Sequence, residues 1–447
     1  MNSSSFDLTA DQSVYSTCSS VLDTARRVKY DYDIEAPEAS DDQTDKLKIL
    51  LNLFWQSKFY LLIEYAKTWG LDQSDSIMAN NILGEAHAEV GNQLLAVYHF
   101  GKALHCQPKH SEIEYKKTIK PYIHNNISLS HRKLGMLNLA EKHLRLALES
   151  KPNFAEAYNN LGCIFNDKAM LSEAEYCFLE AIKLNPKGHD AYWNLHSLST
   201  DTATAKEVLL SCLRVCATFQ PAIITLAGLN ALDGRNEVFE KLLDSALCDD
   251  PVLQSFNWLF SKKPLPTIYF NRWDVFDHAV EMAVKGRPCY EFGVWMGASL
   301  TYLMKNCEKG FGFDTFEGLP ERWRTISEGT YSSFSQIPEI PDVEFIVGNF
   351  EETLPTFFGT PKPKAGIINF DADLYSSTLC ALENAAKVID EKTVLIFDEM
   401  IVNHDWQKDE FCAFNKFCET RGYSYEVIAA STFTKQVACQ IRQNGQL

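Results

Sequence analysis

The apolar pattern divides the chain into three textures. Residues 1–45 hold few apolar positions, and DIEAPEASDDQTD is their most acidic stretch. Such a segment buries too little apolar surface to offset the entropy of ordering, which predicts a disordered tail. From Ile49 apolar residues recur at helical spacing, and this continues to about residue 260. Past Lys262-Lys263-Pro264-Leu265-Pro266, a basic connector punctuated by proline, the texture changes again. Short apolar runs at Cys289–Phe292, Gly310–Phe313, Val343–Val347, Gly366–Phe370 and Val394–Phe397 are predicted as buried strands. Helical patterns at Phe276–Val284, Leu300–Lys305, Leu379–Ile389 and Glu410–Arg421 alternate with them or follow them. That alternation predicts a parallel, doubly wound, Rossmann-like sheet. Tyr425–Ile428 and Val437–Ile441 are predicted as an antiparallel hairpin at one edge.

The helical stretch also repeats. Ala147-Leu148-Glu149-Ser150-Lys151-Pro152 is matched 34 positions later by Ala181-Ile182-Lys183-Leu184-Asn185-Pro186, and upstream by Ala103 to Pro108. Asn160-Leu161-Gly162 aligns with Asn126-Ile127-Ser128 and Ile82-Leu83-Gly84, with Ala96, Ala140 and Ala174 in register. Small residues where two helices cross, and a proline after the second helix, resemble the tetratricopeptide repeat. A single helix pair cannot bury its apolar face, so pairs stack. About five units are expected, running to Pro221 and Pro251. The expected organisation is a tail (1–45), an all-α tetratricopeptide-like array (46–260) and an α/β domain (261–447). Such arrays present a groove to a protein or peptide partner.

Composition narrows the class. The chain has 447 residues, 46% hydrophobic and 23% charged, which suits two or three globular domains. Lys+Arg number 42 against 59 Asp+Glu, a net charge of −17, which argues against binding nucleic acid. No signal-peptide pattern opens the sequence, and no apolar run is long enough to span a membrane. The 13 cysteines are scattered without a CxxC pair, as expected for reduced core residues in a cytoplasmic protein.

Chemistry concentrates at the predicted strand ends. Glu291-Phe292-Gly293-Val294-Trp295-Met296-Gly297-Ala298-Ser299 runs from a strand through two glycines into a helix. Glycines let a ligand approach the backbone, and the helix start offers free N–H groups. The spacing departs from G-x-G-x-x-G, so it is not the dinucleotide fingerprint. Asp314 ends the next strand about 20 residues on, where nucleotide-binding α/β folds place an acid for the ribose hydroxyls. Asp371 ends a third strand and Asp398-Glu399 a fourth. Strand C-termini of an open sheet line one crevice, where these carboxylates repel unless a cation separates them. Hard oxygen ligands of this kind suit Mg²⁺. Asp373, just before Ser376, Ser377 and Thr378, is expected to cap a helix. His404, Trp406 and Glu410 are candidates for a substrate wall, and Pro320–Asp342 for a mobile lid carrying Trp323 and Tyr331.

From Phe276 to Ile428 the chain is similar to the macrocin O-methyltransferase family, class I S-adenosylmethionine-dependent enzymes that methylate sugar hydroxyls. EFGVWMGASL, FGFDTFEGLPE, VGNFEETLP, INFDADLYSST and LIFDEM carry the resemblance in family order. It implies that Glu291, Gly293 and Gly297, with Val294 and Ser299 in the same turn, face the methionine part of S-adenosylmethionine. Asp314 would meet the ribose, and Phe316 with Gly348, Asn349 and Phe350 would lie near adenine. Asp371, Asp398 and Glu399 fall on the family's magnesium positions, although the family shows Asp-Asp where this chain has Asp398-Glu399.

The expected function is Mg²⁺-assisted methyl transfer to a hydroxyl of a sugar or glycosylated metabolite, with Asp371 taking the proton. Two rival readings stand beside it. One is a repeat scaffold with a cofactor-binding but inactive methyltransferase domain; the other is a catechol- or flavonoid-type O-methyltransferase. Homodimerisation is left open.

Overall fold

The computed structural model describes residues 43–107, 113–324 and 326–443, so the predicted tail lies almost wholly outside the described residues. Among the described residues thirteen α-helices come first: α1 (Gln43–Trp55), α2 (Phe59–Thr68), α3 (Ile77–Glu89), α4 (Gln93–His105), α5 (Ile113–Lys133), α6 (Leu137–Ser150), α7 (Ala155–Asp167), α8 (Leu171–Leu184), α9 (His189–His196), α10 (Thr202–Val215), α11 (Gln220–Leu232), α12 (Glu237–Leu243) and α13 (Pro251–Phe260). The chain forms two compact units that divide inside α7, after Ile164.

In the first unit, the small residues singled out by the repeat register are the ones that are buried. Ala96, Ala103, Ala140 and Ala147 are fully covered. Gly84 shows why size matters, since a Cβ there would sit 2.5 Å from the Phe100 ring on the partner helix. Histidines also fill the interior: His87 stacks on His99 at 5.3 Å, and His124 Nδ1 lies 2.9 Å from His143 Nδ1.

The second unit holds α8 to α13 and one eight-stranded sheet. Its elements are β1 (Thr267–Tyr269), α14 (Arg272–Met282), β2 (Cys289–Phe292), α15 (Ala298–Leu303), β3 (Gly310–Asp314), β4 (Val343–Val347), α16 (Phe350–Phe358), β5 (Ile367–Phe370), α17 (Tyr375–Ala385), β6 (Val394–Phe397), α18 (Glu410–Arg421), β7 (Tyr423–Ser431) and β8 (Val437–Gln443). The strand order is β1-β7-β8-β6-β5-β2-β3-β4. β2 to β6 pair in parallel, as the alternating pattern predicts. β7 and β8 form the expected antiparallel hairpin; β8 pairs with β6, and the short β1 adds beyond β7.

Four central strands end alike: Phe292-Gly293, Phe313-Asp314, Phe370-Asp371 and Phe397-Asp398. Their register sets the four rings side by side as a stacked ladder. Phe292 lies 4.7 Å from Phe313 and 5.4 Å from Phe370, and Phe370 lies 5.0 Å from Phe397. All four rings are fully buried. Stacked, close-packed aromatics fix backbone positions well, so the next residue of each strand emerges at one level, along one rim.

Candidate active site

That rim is the floor of a cavity of about 260 Å³. Of the residues singled out by sequence, Gly293, Asp314, Asn349, Phe350, Asp371, Asp398 and Glu399 line it. Trp295, Thr315, Asp373 and Ser377, all within the quoted motifs, and Tyr331 of the segment read as a lid also line it, and Arg272 joins them from α14, which no motif reaches.

The glycine turn is held from two sides. Gly293 has φ +84°, and a Cβ there would meet the Asp371 carbonyl oxygen at 1.8 Å. No side chain fits, so β2 and β5 deliver their ends in contact. Gly297, at φ +76°, starts α15. Asp314 clamps the turn between them: Oδ2 accepts the Val294 and Trp295 amides at 2.7 Å each, and Oδ1 accepts the Phe316 amide at 2.7 Å. A carboxylate offers about four acceptor positions, so a lone pair stays open to a ligand hydroxyl.

Glu291, Val294, Gly297, Ser299, Phe316 and Gly348 lie outside the cavity lining. Val294 and Phe316 are core residues packed with Leu300 and Ile340, and Ser299 is buried in α15. Gly348, at φ +136°, turns the chain and donates its amide to the Asp314 carbonyl at 3.0 Å. Glu291 lies under the floor, 1% exposed, with Oε1 accepting from Asn369 Nδ2 at 2.9 Å. Its Oε2, the Asn369 Oδ1 and the Trp295 Nε1 are buried without a hydrogen-bond partner. Burial raises the Glu291 carboxyl well above its ordinary range.

On the other wall carboxylates crowd together. Asp371 is raised well above the usual carboxylate range by burial and by the Asp398 charge, and Asp373 by burial and by Glu399. Asp373 does not cap α17: Leu374 stands at the cap without a side-chain bond, and Asp373 sits at φ +56° in the cavity wall. Two cations answer the acids. The Arg272 guanidinium lies 3.7 Å from Asp398 Oδ1, and Lys435 Nζ lies 3.0 Å from Glu399 Oε1.

The loop residues separate into different roles. His404 is 86% exposed by its side chain and pairs with Asp405, away from the cavity. Trp406 is core, and the buried Glu410 accepts the Glu399 amide through Oε2 at 2.9 Å. In the segment read as a lid, Trp323 is buried, its Nε1 donating to Asp409 at 3.1 Å, and Arg324 pairs with the same carboxylate. Tyr331 reaches the cavity with its ring 5.4 Å from Trp295.

The donor set can be tested against the two groups that the resemblance implies. A methyl donor with ribose, ammonium and sulfonium groups fits: a glycine turn without side chains, a clamped strand-end carboxylate and the unpartnered Trp295 Nε1 border one cavity. Magnesium on Asp371, Asp398 and Glu399 does not fit. Both Glu399 oxygens are already bonded, to Lys435 and to Asn403 Nδ2 at 2.7 Å, and Asp398 Oδ1 accepts from Gln436 Nε2 at 2.7 Å. Among the described residues no three His, Cys, Asp or Glu side chains are arranged to hold a metal.

Comparison with known proteins agrees with this layout. Residues 290–400 match the family described as a methyltransferase domain. Residues 121–154 and 155–187 each match the tetratricopeptide repeat. The chain therefore joins tetratricopeptide repeats to a methyltransferase domain. No curated protein matches it in sequence. Similar solved structures include the O-methyltransferase NovP (20% identity, 39% of this chain and 80% of that one, TM-score 0.29). The calicheamicin methyltransferase CalS11 is 18% identical over 45% of this chain and 89% of its own, TM-score 0.31. YrrB, a tetratricopeptide protein described as having an unusual peptide-binding site, is 18% identical over 41% and 92%, TM-score 0.32. Among the described residues no helix is long and apolar enough to cross a membrane.

Proposed function

We propose that the chain is an S-adenosylmethionine-dependent O-methyltransferase acting on a hydroxyl of a sugar-type or glycosylated acceptor, with its repeats recruiting a protein or peptide partner. The observation that carries the enzymatic part is the convergence of the glycine turn, Asp314 and Asp371 on one cavity. Bound S-adenosylmethionine supplies an electrophilic methyl group. Gly293 and Asp314 orient it by leaving space and an open acceptor, and Asn349 and Phe350 close the wall. Glu291, Val294, Gly297, Ser299, Phe316 and Gly348 support the turn from beneath and behind.

Asp371 receives the acceptor proton as the oxygen–methyl bond forms and the sulfur–methyl bond breaks. Its main chain touches the glycine turn, so base and methyl donor are placed by one contact. A carboxyl with a raised pKa holds that proton better than an ordinary one. No step is assigned to magnesium, since Glu399 is committed elsewhere. The test is transfer of labelled methyl from S-adenosylmethionine across a panel of glycosides, catechols and flavonoids. Labelled glycoside is expected; labelling of catechols alone would replace the acceptor class, and binding without any transfer would favour the inactive scaffold.

A further inference from the structure

We propose that this cavity carries its own counter-cation: Lys435 occupies Glu399, and with it the place a divalent cation would need, so the site binds no metal. The inference rests on reading the cavity as the methyltransferase site, and it replaces the family's magnesium with a residue of the hairpin.

The register dictates the arrangement. β6 and β8 run antiparallel with Phe397 opposite Val437 and Ile396 opposite Ala438. Continued past the strand ends, the same register sets Asp398 against Gln436 and Glu399 against Lys435. The side chains follow it: Gln436 Nε2 donates to Asp398 Oδ1 at 2.7 Å and to the Asp398 carbonyl at 3.2 Å. Lys435 Nζ donates to Glu399 Oε1 at 3.0 Å, while Asn403 holds Oε2. Two adjacent acids thus meet two adjacent donors.

The turn that presents Lys435 is over-determined. Lys435 has φ +82°, a region that side chains disfavour. It is held there by its own amide on the Ser431 carbonyl at 3.2 Å. The Ser431 amide bonds the Gln436 carbonyl at 2.8 Å, and Ser431 Oγ accepts the Thr434 amide at 3.0 Å. Strain kept in place by several bonds marks a side chain whose position is specified. A dication on Glu399 would have to face the Lys435 ammonium across one carboxylate, where like charges repel strongly. Arg272, 3.7 Å from Asp398 Oδ1, adds a second positive charge beside these acids.

The experiment titrates Mn²⁺ into the full chain and into Lys435→Met, reading bound metal by electron paramagnetic resonance. S-adenosylhomocysteine binding by calorimetry serves as the independent check on the cavity. The wild type is expected to show no stoichiometric Mn²⁺ site. Lys435→Met, with Glu399 released beside Asp398 and Asp371, is expected to gain one, at least about tenfold tighter than wild type. One tight Mn²⁺ per wild-type chain, lost in Asp371→Asn, would overturn the proposal; so would silence in both proteins, because Lys435 would then not be what excludes the ion. Loss of S-adenosylhomocysteine binding in the wild type would instead overturn the methyltransferase reading, and the manganese result would stand apart from it.

Discussion

Asn369 Nδ2 donates to Glu291 Oε1 at 2.9 Å, and the two residues are direct neighbours across the parallel pair β2 and β5. This bond joins the two strands whose next residues are the glycine turn and Asp371. Burial raises the Glu291 carboxyl well above its ordinary range. A raised folded value means that its contribution to stability is full below its ordinary value of 4.5 and lost as pH rises through the folded value. Glu291→Gln keeps the shape and removes the titration. Its melting temperature is expected to exceed wild type at pH 7, with the gap closing near pH 4. Asn369→Leu leaves Glu291 unpaired and is expected to cost about 1–3 kcal/mol in denaturant titration.

Gly293→Ala tests the contact between the turn and Asp371. The added carbon would overlap the Asp371 carbonyl oxygen at 1.8 Å, at a positive φ. Backbone must move, so a loss of roughly 3 kcal/mol or more is expected, together with loss of S-adenosylhomocysteine binding. An unchanged melt would contradict the close approach.

Asp371→Asn separates chemistry from binding. The amide is nearly isosteric and removes one charge from a crowded acid cluster, so the fold should persist and S-adenosylhomocysteine should still bind. Methyl transfer should fall by about 10²-fold or more, as for removal of a general base. Turnover at the wild-type rate would remove Asp371 from the mechanism.

The repeat unit should be acid-labile. Burial, with the nearby Lys67 charge, lowers His87 to about 3; burial with His131, His124 and Lys142 lowers His143 to about 2; His99 is lowered well below 6.5 by burial, His87 and Lys102. Depressed folded values mean stability present above 6.5 and lost as pH falls, because the unfolded chain takes up the protons. At pH 5.5 each such histidine costs about 1.4 kcal/mol, set by the unfolded value alone. Helical ellipticity should melt earlier at pH 5.5 than at pH 7.5, and His99→Gln should narrow the difference.

Much of this layout was legible in the sequence because it depends on local pattern. Strand ends such as Phe370-Asp371 follow from apolar runs, and the buried Ala96, Ala103, Ala140 and Ala147 follow from the repeat register. The aromatic ladder could also have been read, since each of the four strands closes on phenylalanine. What escaped depends on pairing at a distance. β1 has only three residues and exists through β7, far along the chain. Lys435 and Gln436 reach the site only through the β6–β8 register. The local neighbours of Asp373 suggest a cap, but its backbone, at φ +56°, turns it into the cavity instead. His404 is near Glu399 in sequence, yet the loop turns it to solvent.

The most direct measurement is calorimetric titration of S-adenosylhomocysteine into the full chain and into Gly293→Ala. One site per wild-type chain, absent in the variant, is the predicted result. A wild-type chain that takes up no S-adenosylhomocysteine would contradict the account at its centre.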